Sequence, residues 1–263
     1  MARRRFFVPE IRRGAAELTG PEAEHLVRVL RAEPGQVYEL SDNSEVYLAE
    51  IVNARKASVT FKILEKLATP QRHVTITLLP ALFKFARFEW MLEKVTELGV
   101  SIIQPVEAVR SERGLAQAFI KRHMRWQRIL TEASQQSRRA HLPRIEQVFL
   151  FSKALGATAD IRLLLDEEAA APPILAALPS AATERHNIAL LIGPEGGWTE
   201  GERQHALKEG WTSCSLGATI LRAETAAVAA LAIVQAWASK MTAAKSLEEQ
   251  SPLVPVESLP ENS

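Results

Sequence analysis

The chain has 263 residues, 47% of them apolar and 24% charged, which is enough for two domains of ordinary size or one large one. Thirty-two basic side chains against thirty-one acidic give a net charge of +1, so no global electrostatic attraction to nucleic acid exists and any such surface must be local. One cysteine, Cys214, excludes an intramolecular disulfide and a cysteine-built metal site, and it fits a reducing cytoplasm.

The first seventy residues read as a small separate domain. Arg3, Arg4 and Arg5 precede Phe6 and Phe7 with no long apolar run behind them, so the start is not a secretory signal. Gly20-Pro21-Glu22 opens a helix, with Pro21 where its missing N–H costs nothing. Leu26, Val29 and Leu30 form its apolar stripe and leave His25, Arg28 and Arg31 on another face. Short strands follow at 37–38, 46–52 and 59–63, the last alternating strictly through Val59, Phe61 and Ile63. One helix with several short strands predicts a small β-barrel. Arg12, Arg13 and Arg55 add to its basic surface, which reads either as a solvated face or as phosphate contacts beside the aromatic pair.

From residue 71 the pattern is that of a parallel α/β sheet. Residues 74–79 form a strand; Phe88, Met91, Leu92, Val95 and Leu98 mark one face of a helix that stops at Gly99; residues 102–106 form the next strand. Lys84 and Arg87 lie between strand and helix, either as phosphate contacts or as ordinary loop polarity. A helix over 117–137 turns Phe119, Trp126, Ile129, Leu130 and Ala133 inward and carries Lys121, Arg122, Arg125 and Arg128 as solvated charges. Residues 161–165 are a buried strand ended by Asp166, Glu167 and Glu168, which bind ribose hydroxyls or are simply wet.

Residues 187–238 organise the rest. The strand 187–192 ends at Gly193-Pro194-Glu195-Gly196-Gly197-Trp198, a sequence that exposes backbone at a sheet edge where ligands bind. A short helix follows, capped by Thr199 with Glu202 as its reciprocal partner and ended by Gly210. A second bend at Leu216-Gly217 precedes Ile220-Leu221-Arg222-Ala223-Glu224-Thr225 and a long helix from Ala226. That helix is apolar almost all round and needs cover on every side, from its own sheet and a second subunit. Charged and polar side chains interrupt it, so it does not read as a membrane span. Residues 241–263, with Pro252, Pro255 and Pro260, read as a disordered tail.

Familiar catalytic signatures are absent. No Walker-type phosphate loop, dinucleotide glycine fingerprint or serine-hydrolase elbow occurs, and the six histidines never pair at metal-ligand spacing. What remains is a pocket of backbone loops with Arg222, Glu224 and Glu195 nearby. Such a pocket suits a group transfer in which a cofactor carries the reactivity.

Leu191 to Thr199, Ser215-Leu216-Gly217 and Ile220 to Ala226 closely resemble the RsmE family, bacterial uridine-N3 methyltransferases of small-subunit ribosomal RNA within the SPOUT superfamily. Arg5 to Pro9, the His25 to Arg31 helix, Lys84, Glu97 to Val100, and Glu132-Ala133 with Gln136-Ser137 and Arg139 carry the likeness over nearly the whole chain. Arg138, Ala223 and Trp198 depart from the family's usual residues. The resemblance implies an α/β protein: a PUA-like RNA-binding barrel over 1–70 and a SPOUT methyltransferase domain with a trefoil knot over 71–240. It implies S-adenosylmethionine held by Leu165, Ile192, Gly193, Pro194, Gly197, Leu216, Gly217, Ile220, Leu221, Thr225 and Ala226, with no metal. The RNA contacts it implies fall on Arg3, Arg5, Arg28, Arg31, Lys84, Arg87 and Arg139, and the final helix is the dimer contact.

For chemistry, uridine N3 must lose a proton while the base is held unstacked. Arg222 is placed to stabilise charge on the uracil oxygens, and either Glu195 or Glu224 to accept the proton or to brace its loop. Two other readings stay open: a non-catalytic RNA-binding ribosome factor, and a related enzyme that methylates ribose hydroxyls.

Overall fold

The computed structural model describes residues 4–69, 74–168, 171–180 and 186–250, with side chains through residue 241. Arg3 and residues 251–263 of the expected tail lie outside the described residues. Two six-stranded sheets account for most of the chain, one at each end of the sequence.

The N-terminal sheet runs in the order β1-β4-β5-β6-β3-β2. Its strands are β1 (Arg5–Phe7), β2 (Ile11–Arg12), β3 (Ala15–Thr19), β4 (Val37–Ser41), β5 (Val46–Arg55) and β6 (Ser58–Leu67), with α1 (Gly20–Arg28) after β3. Alternation turns Ala49 and Ile51 of β5 and Val59 and Phe61 of β6 inward, as a two-residue pleat requires. Two register shifts in the β5–β6 ladder bend the sheet around α1. No ladder joins β1 to β2 among the described residues, so the expected barrel is open between them. The helix also differs from expectation. Ala23 and Leu26 are its buried residues, while Val29 is 63% exposed because α1 has already ended. His25 and Arg28 remain on its exposed side, and Arg31 sits beyond it at φ 52°.

The C-terminal sheet has the order β10-β8-β7-β13-β12-β14, and every printed pairing in it is parallel. Its strands are β7 (Val74–Pro80), β8 (Ile102–Ile103), β10 (Arg144–Ile145), β12 (Ile161–Leu165), β13 (His186–Ile192) and β14 (Thr212–Cys214). A separate pair joins β9 (Val106–Glu107) to β11 (Phe149–Leu150). The helices are α2 (Phe85–Glu97), α3 (Leu115–Gln136), α4 (Phe151–Ala154), α5 (Glu200–Lys208) and α6 (Ala223–Gln250), with a short 3-10 turn at Ile174–Ala177. The central strands are apolar on both sides because helices cover both faces: Ile188, Ala189, Leu190 and Leu191 are all fully buried. The final helix starts three residues earlier than expected, placing Glu224 and Thr225 in its first turn, and continues past residue 240 to Gln250 where an unstructured tail was expected.

On one face, α2 packs between the sheet and α3. Phe88, Met91, Leu92 and Val95 are fully buried, and Phe88 stacks on Trp126 with ring centroids 4.8 Å apart. Each such side chain contributes about 1.5–3 kcal/mol by leaving water. Arg122 and Arg125 of α3 keep the exposure the sequence suggested, with side chains 43% and 65% exposed, but they are paired as well. Both close on Glu89 of α2, at 3.0 and 2.8 Å, and the indole N–H of Trp126 donates to the same carboxylate at 3.2 Å.

The two sheets are fastened by polar contacts rather than by a shared core. Glu39 of β4, 5% exposed, accepts from Arg5 of β1 at 2.7 Å and from Arg138 just past α3. Arg5 also donates to the Arg138 carbonyl oxygen. Ser41 Oγ donates to the Ala140 carbonyl at 2.6 Å, and Asn43 Oδ1 accepts from the Leu142 N–H at 2.7 Å.

The hydrogen bond from Arg125, aided by Trp126 and Arg122, holds the Glu89 carboxyl below its ordinary value of 4.5. A lowered folded-state value means that the stabilisation is fully present above pH 4.5 and fades as the pH falls through the folded value. Replacing Glu89 by Gln should therefore cost about 1–2 kcal/mol at neutral pH. The deficit should shrink in acid, as urea midpoints measured across a pH series will show.

Candidate active site

β12 lies between β13 and β14, parallel to both, with Leu163 opposite Leu190 on one side and Thr212 on the other. The loops leaving these three strands therefore emerge together at the carboxyl edge of the sheet, where ligands of open α/β folds bind. They enclose a cavity of about 410 Å³, a volume suited to a small ligand. Leu165, Asp166 and Glu167 line it from the first loop, and Ile192, Gly193, Pro194, Glu195, Gly197 and Trp198 from the second. Leu216 to Leu221 form the third wall, and Arg222, Ala223 and Ala226 close it from the start of α6. Ten of the eleven cofactor residues expected from sequence thus meet in one place. Thr225 does not; it is exposed and turned off the wall by its position in the first turn of α6.

The glycine loop is held by side chains from elsewhere. Trp198 is buried and its indole N–H donates to the Leu165 carbonyl at 2.9 Å, tying the second loop to the first. That ring leaves little room beside Gly193, where a Cβ would sit 3.2 Å from it and the ring would have to give by a few tenths of an ångström. Gly197 has φ +68°, a conformation that only glycine adopts without strain. Arg110 donates to the carbonyls of Gly196 at 2.7 Å and Trp198 at 3.3 Å. Behind the loop, Thr199 and Glu202 form the expected reciprocal cap of α5, and Glu202 also accepts from the Val109 N–H at 2.9 Å.

Two of the carboxylates lining the cavity, Asp166 and Glu195, are paired with arginines. Asp166 is neither wet nor free: Arg203 of α5 approaches it at 3.0 Å and also reaches Glu168 at 3.4 Å. Cys214, on the next strand, is inert. Burial pushes its thiol up to about 12, helped by the charge of Asp166, so no thiolate nucleophile is present at neutral pH. Among the described residues no group of His, Cys, Asp or Glu gathers as a metal set. At the opposite wall Arg87 of α2 holds Glu195 at 2.5 Å and approaches Glu224 at 3.7 Å. Glu224 is 7% exposed, and its second carboxylate oxygen is buried without a hydrogen-bond partner.

The basic residues expected to meet RNA separate into three kinds. Arg28, Arg31 and Lys84 are exposed, Lys84 at the start of α2. Arg87 instead lines the cavity. Arg5 and Arg139 are structural: Arg5 is 12% exposed in its side chain and bound to Glu39, and Arg139 donates to the carbonyls of Thr96 and Val100, each at 2.6 Å, at the end of α2. Sequence reading missed Arg110 and Arg203, because each acts on a loop remote in the chain and no local pattern marks such a pairing.

The RNA methyltransferase domain family matches residues 70–235, and the RNA methyltransferase PUA domain family matches residues 18–64. The chain is 34% identical to ribosomal RNA small subunit methyltransferase E of Synechocystis sp. over 90% of its own length and 78% of that protein's. It is 30% identical to the protein of the same name from Bacillus subtilis, over 82% and 88% of the two chains. Among solved structures, the ribosomal RNA small subunit methyltransferase E of Neisseria gonorrhoeae bound to S-adenosyl methionine superposes with a TM-score of 0.80 at 30% identity, covering 90% of this chain and 98% of that one. The match to the first of these families spans more than half of the chain, on the same sheet whose carboxyl edge carries the cavity. The chain belongs to the RNA methyltransferase family that includes ribosomal RNA small subunit methyltransferase E.

Proposed function

We propose that this chain methylates N3 of a uridine in small-subunit ribosomal RNA, with S-adenosylmethionine as donor, in the cytoplasm. The observation that carries the reading is the cavity itself. Three loops, two of them opened by glycines, meet around a volume that fits one such molecule. The Neisseria gonorrhoeae relative was solved bound to S-adenosyl methionine, which supports the choice of donor. Leu165, Ile192, Leu216 and Leu221 offer apolar walls, while the backbone at Gly193, Gly197 and Gly217 allows close approach. Asp166 and Glu167 put carboxylates beside a ligand that carries positive charge.

When bound, the donor supplies a sulfonium-activated methyl carbon that needs alignment rather than activation. The protein's task is to present N3 without its proton. Glu195 is the better placed acceptor, because it lines the cavity and its side chain is 39% exposed, whereas Glu224 lies behind the wall and is buried. Arg222, also on the wall, faces the negative charge that develops on the uracil oxygens as the proton leaves. The N-terminal domain, with Arg28 and Arg31 outward, carries the RNA.

Two finer features belong to the same reading. The chain between β12 and α6 is knotted, a view supported by the interleaved order β13-β12-β14 and by three loops meeting at one cavity. Two copies pair through α6, where Val228, Ala229, Ala232 and Ile233 remain half-exposed on an apolar helix.

Replacing Arg222 by Ala should lower methyl transfer about 100-fold while leaving donor affinity within about threefold, measured by single-turnover kinetics beside calorimetry. Unchanged turnover refutes the role. Replacing Gly193 by Ala drives a methyl toward the Trp198 ring, which its hydrogen bond to Leu165 keeps from yielding. Donor affinity should fall by about tenfold or more in a calorimetric titration, about 1.4 kcal/mol. Mass analysis of nuclease-digested ribosomal RNA tests the substrate: methyl on the uracil base supports the reading, and methyl on ribose overturns it.

A further inference from the structure

We propose that Arg87 is a positioning residue with two stations, Glu195 and Glu224, and that its transfer from the first to the second releases the proton acceptor for catalysis. The proposal rests on the functional reading above and deepens it. In this structure the guanidinium is committed to Glu195, 2.5 Å away, and meets Glu224 only loosely at 3.7 Å. A carboxylate whose oxygen is already engaged by a guanidinium is poorly disposed to receive a proton from N3, so the pair must open before transfer. Glu224 supplies the destination.

Its second oxygen is buried with no partner, an arrangement that costs stability in this state and that a second state with a donor would relieve. A guanidinium carries five N–H donors in a rigid fork that matches both oxygens of one carboxylate. Turning onto Glu224 would therefore satisfy the orphan oxygen in the step that frees Glu195. The swap exchanges one ion pair for another and needs no net change of charge in the wall. Of the other charged groups lining this cavity, Asp166 is held by Arg203, and neither Glu167 nor Arg222 forms an ion pair with Arg87, Glu195 or Glu224 in this structure. Arg110 is occupied by the carbonyls of Gly196 and Trp198.

The test compares the full-length chain with Glu224→Gln, using unmodified small-subunit ribosomal RNA and S-adenosylmethionine. Removing the charge at the second station should leave Arg87 on Glu195. At neutral pH the variant should lose about tenfold or more in kcat. Its KM for RNA and its calorimetric Kd for the donor should stay within about twofold of the parent values. In alkali, where uridine N3 sheds its proton unaided, the deficit should close. A loss of equal size at every pH, a parallel loss of donor affinity, or an unchanged kcat overturns the proposal. Should the glutamine variant fail to fold, Glu224→Asp, which withdraws the carboxylate by one methylene, is judged by the same criteria. A crystal of the parent chain with donor and a uridine-containing oligonucleotide should show Arg87 within hydrogen-bond reach of both Glu224 oxygens and off Glu195; Arg87 still on Glu195 also overturns it. If the parent chain itself places no methyl on uracil, the functional reading fails first, and the two failures are distinct.

Discussion

Everything in the C-terminal half depends on β12 being paired on both sides by strands that follow it in the chain. Parallel pairing sends the ends of β12, β13 and β14 to one edge, and a one-residue slip would turn Leu163 and Leu165 to the other face of the sheet. The register is secured by burial, since Leu163, Leu190 and Cys214 are all fully buried in the core beneath. It is secured again above the sheet, where the Trp198 indole reaches across to the Leu165 carbonyl. The core and the cavity are therefore not independent. The packing that stabilises the sheet also sets the distance between the loops.

The cavity wall shows how charge is carried at that edge without loss of order. Asp166 would be expensive alone in such surroundings, and Arg203 compensates it from α5, a helix whose own entry is fixed by the Thr199–Glu202 cap. On the far side the compensation is incomplete. One arginine serves two glutamates, and one carboxylate oxygen has none of it. Completely paired charges hold a wall still; incompletely paired ones are where a wall has somewhere to go.

Features that rest on a few neighbouring residues were legible in the sequence. The glycine bends at Gly193–Gly197 and Gly217, the Thr199 cap, the Gly99 stop and the apolar strands each depend on local backbone chemistry or on a period of two or 3.6. The fates of the arginines were not legible. For Arg5, Arg87, Arg122, Arg125 and Arg139 nothing local distinguishes a basic side chain that faces solvent from one whose partner lies far along the chain. Arg5 meets Glu39 only when β1 pairs with β4, and Arg139 meets the end of α2 only when α3 has packed on it, since each pair is remote in the chain. The start of α6 was misplaced for a related reason. Arg222, Glu224 and Thr225 look like loop polarity, yet the Ala226 N–H already closes a helical turn on the Arg222 carbonyl.

The seam between the two sheets sets how the N-terminal domain meets the domain that carries the cavity. Apolar contact is non-directional and by itself fixes no orientation between two domains. Here the contact is a small set of directional bonds: Glu39 with Arg5 and Arg138, Ser41 with Ala140, Asn43 with Leu142. Such bonds break over a few tenths of an ångström, so they define one orientation rather than a range. Arg138 helps to define it from an unusual backbone, at φ +54°, where a residue without a β-carbon would relieve strain but would forfeit the ion pair. The domain that matches the RNA methyltransferase PUA family is thereby oriented against the domain that carries the cavity. The stretch that fixes the angle, residues 138–142, follows directly from α3, which packs on α2, the helix that supplies Arg87 to the cavity wall. The seam between the domains and the wall of the cavity are thus joined by one path of packed elements.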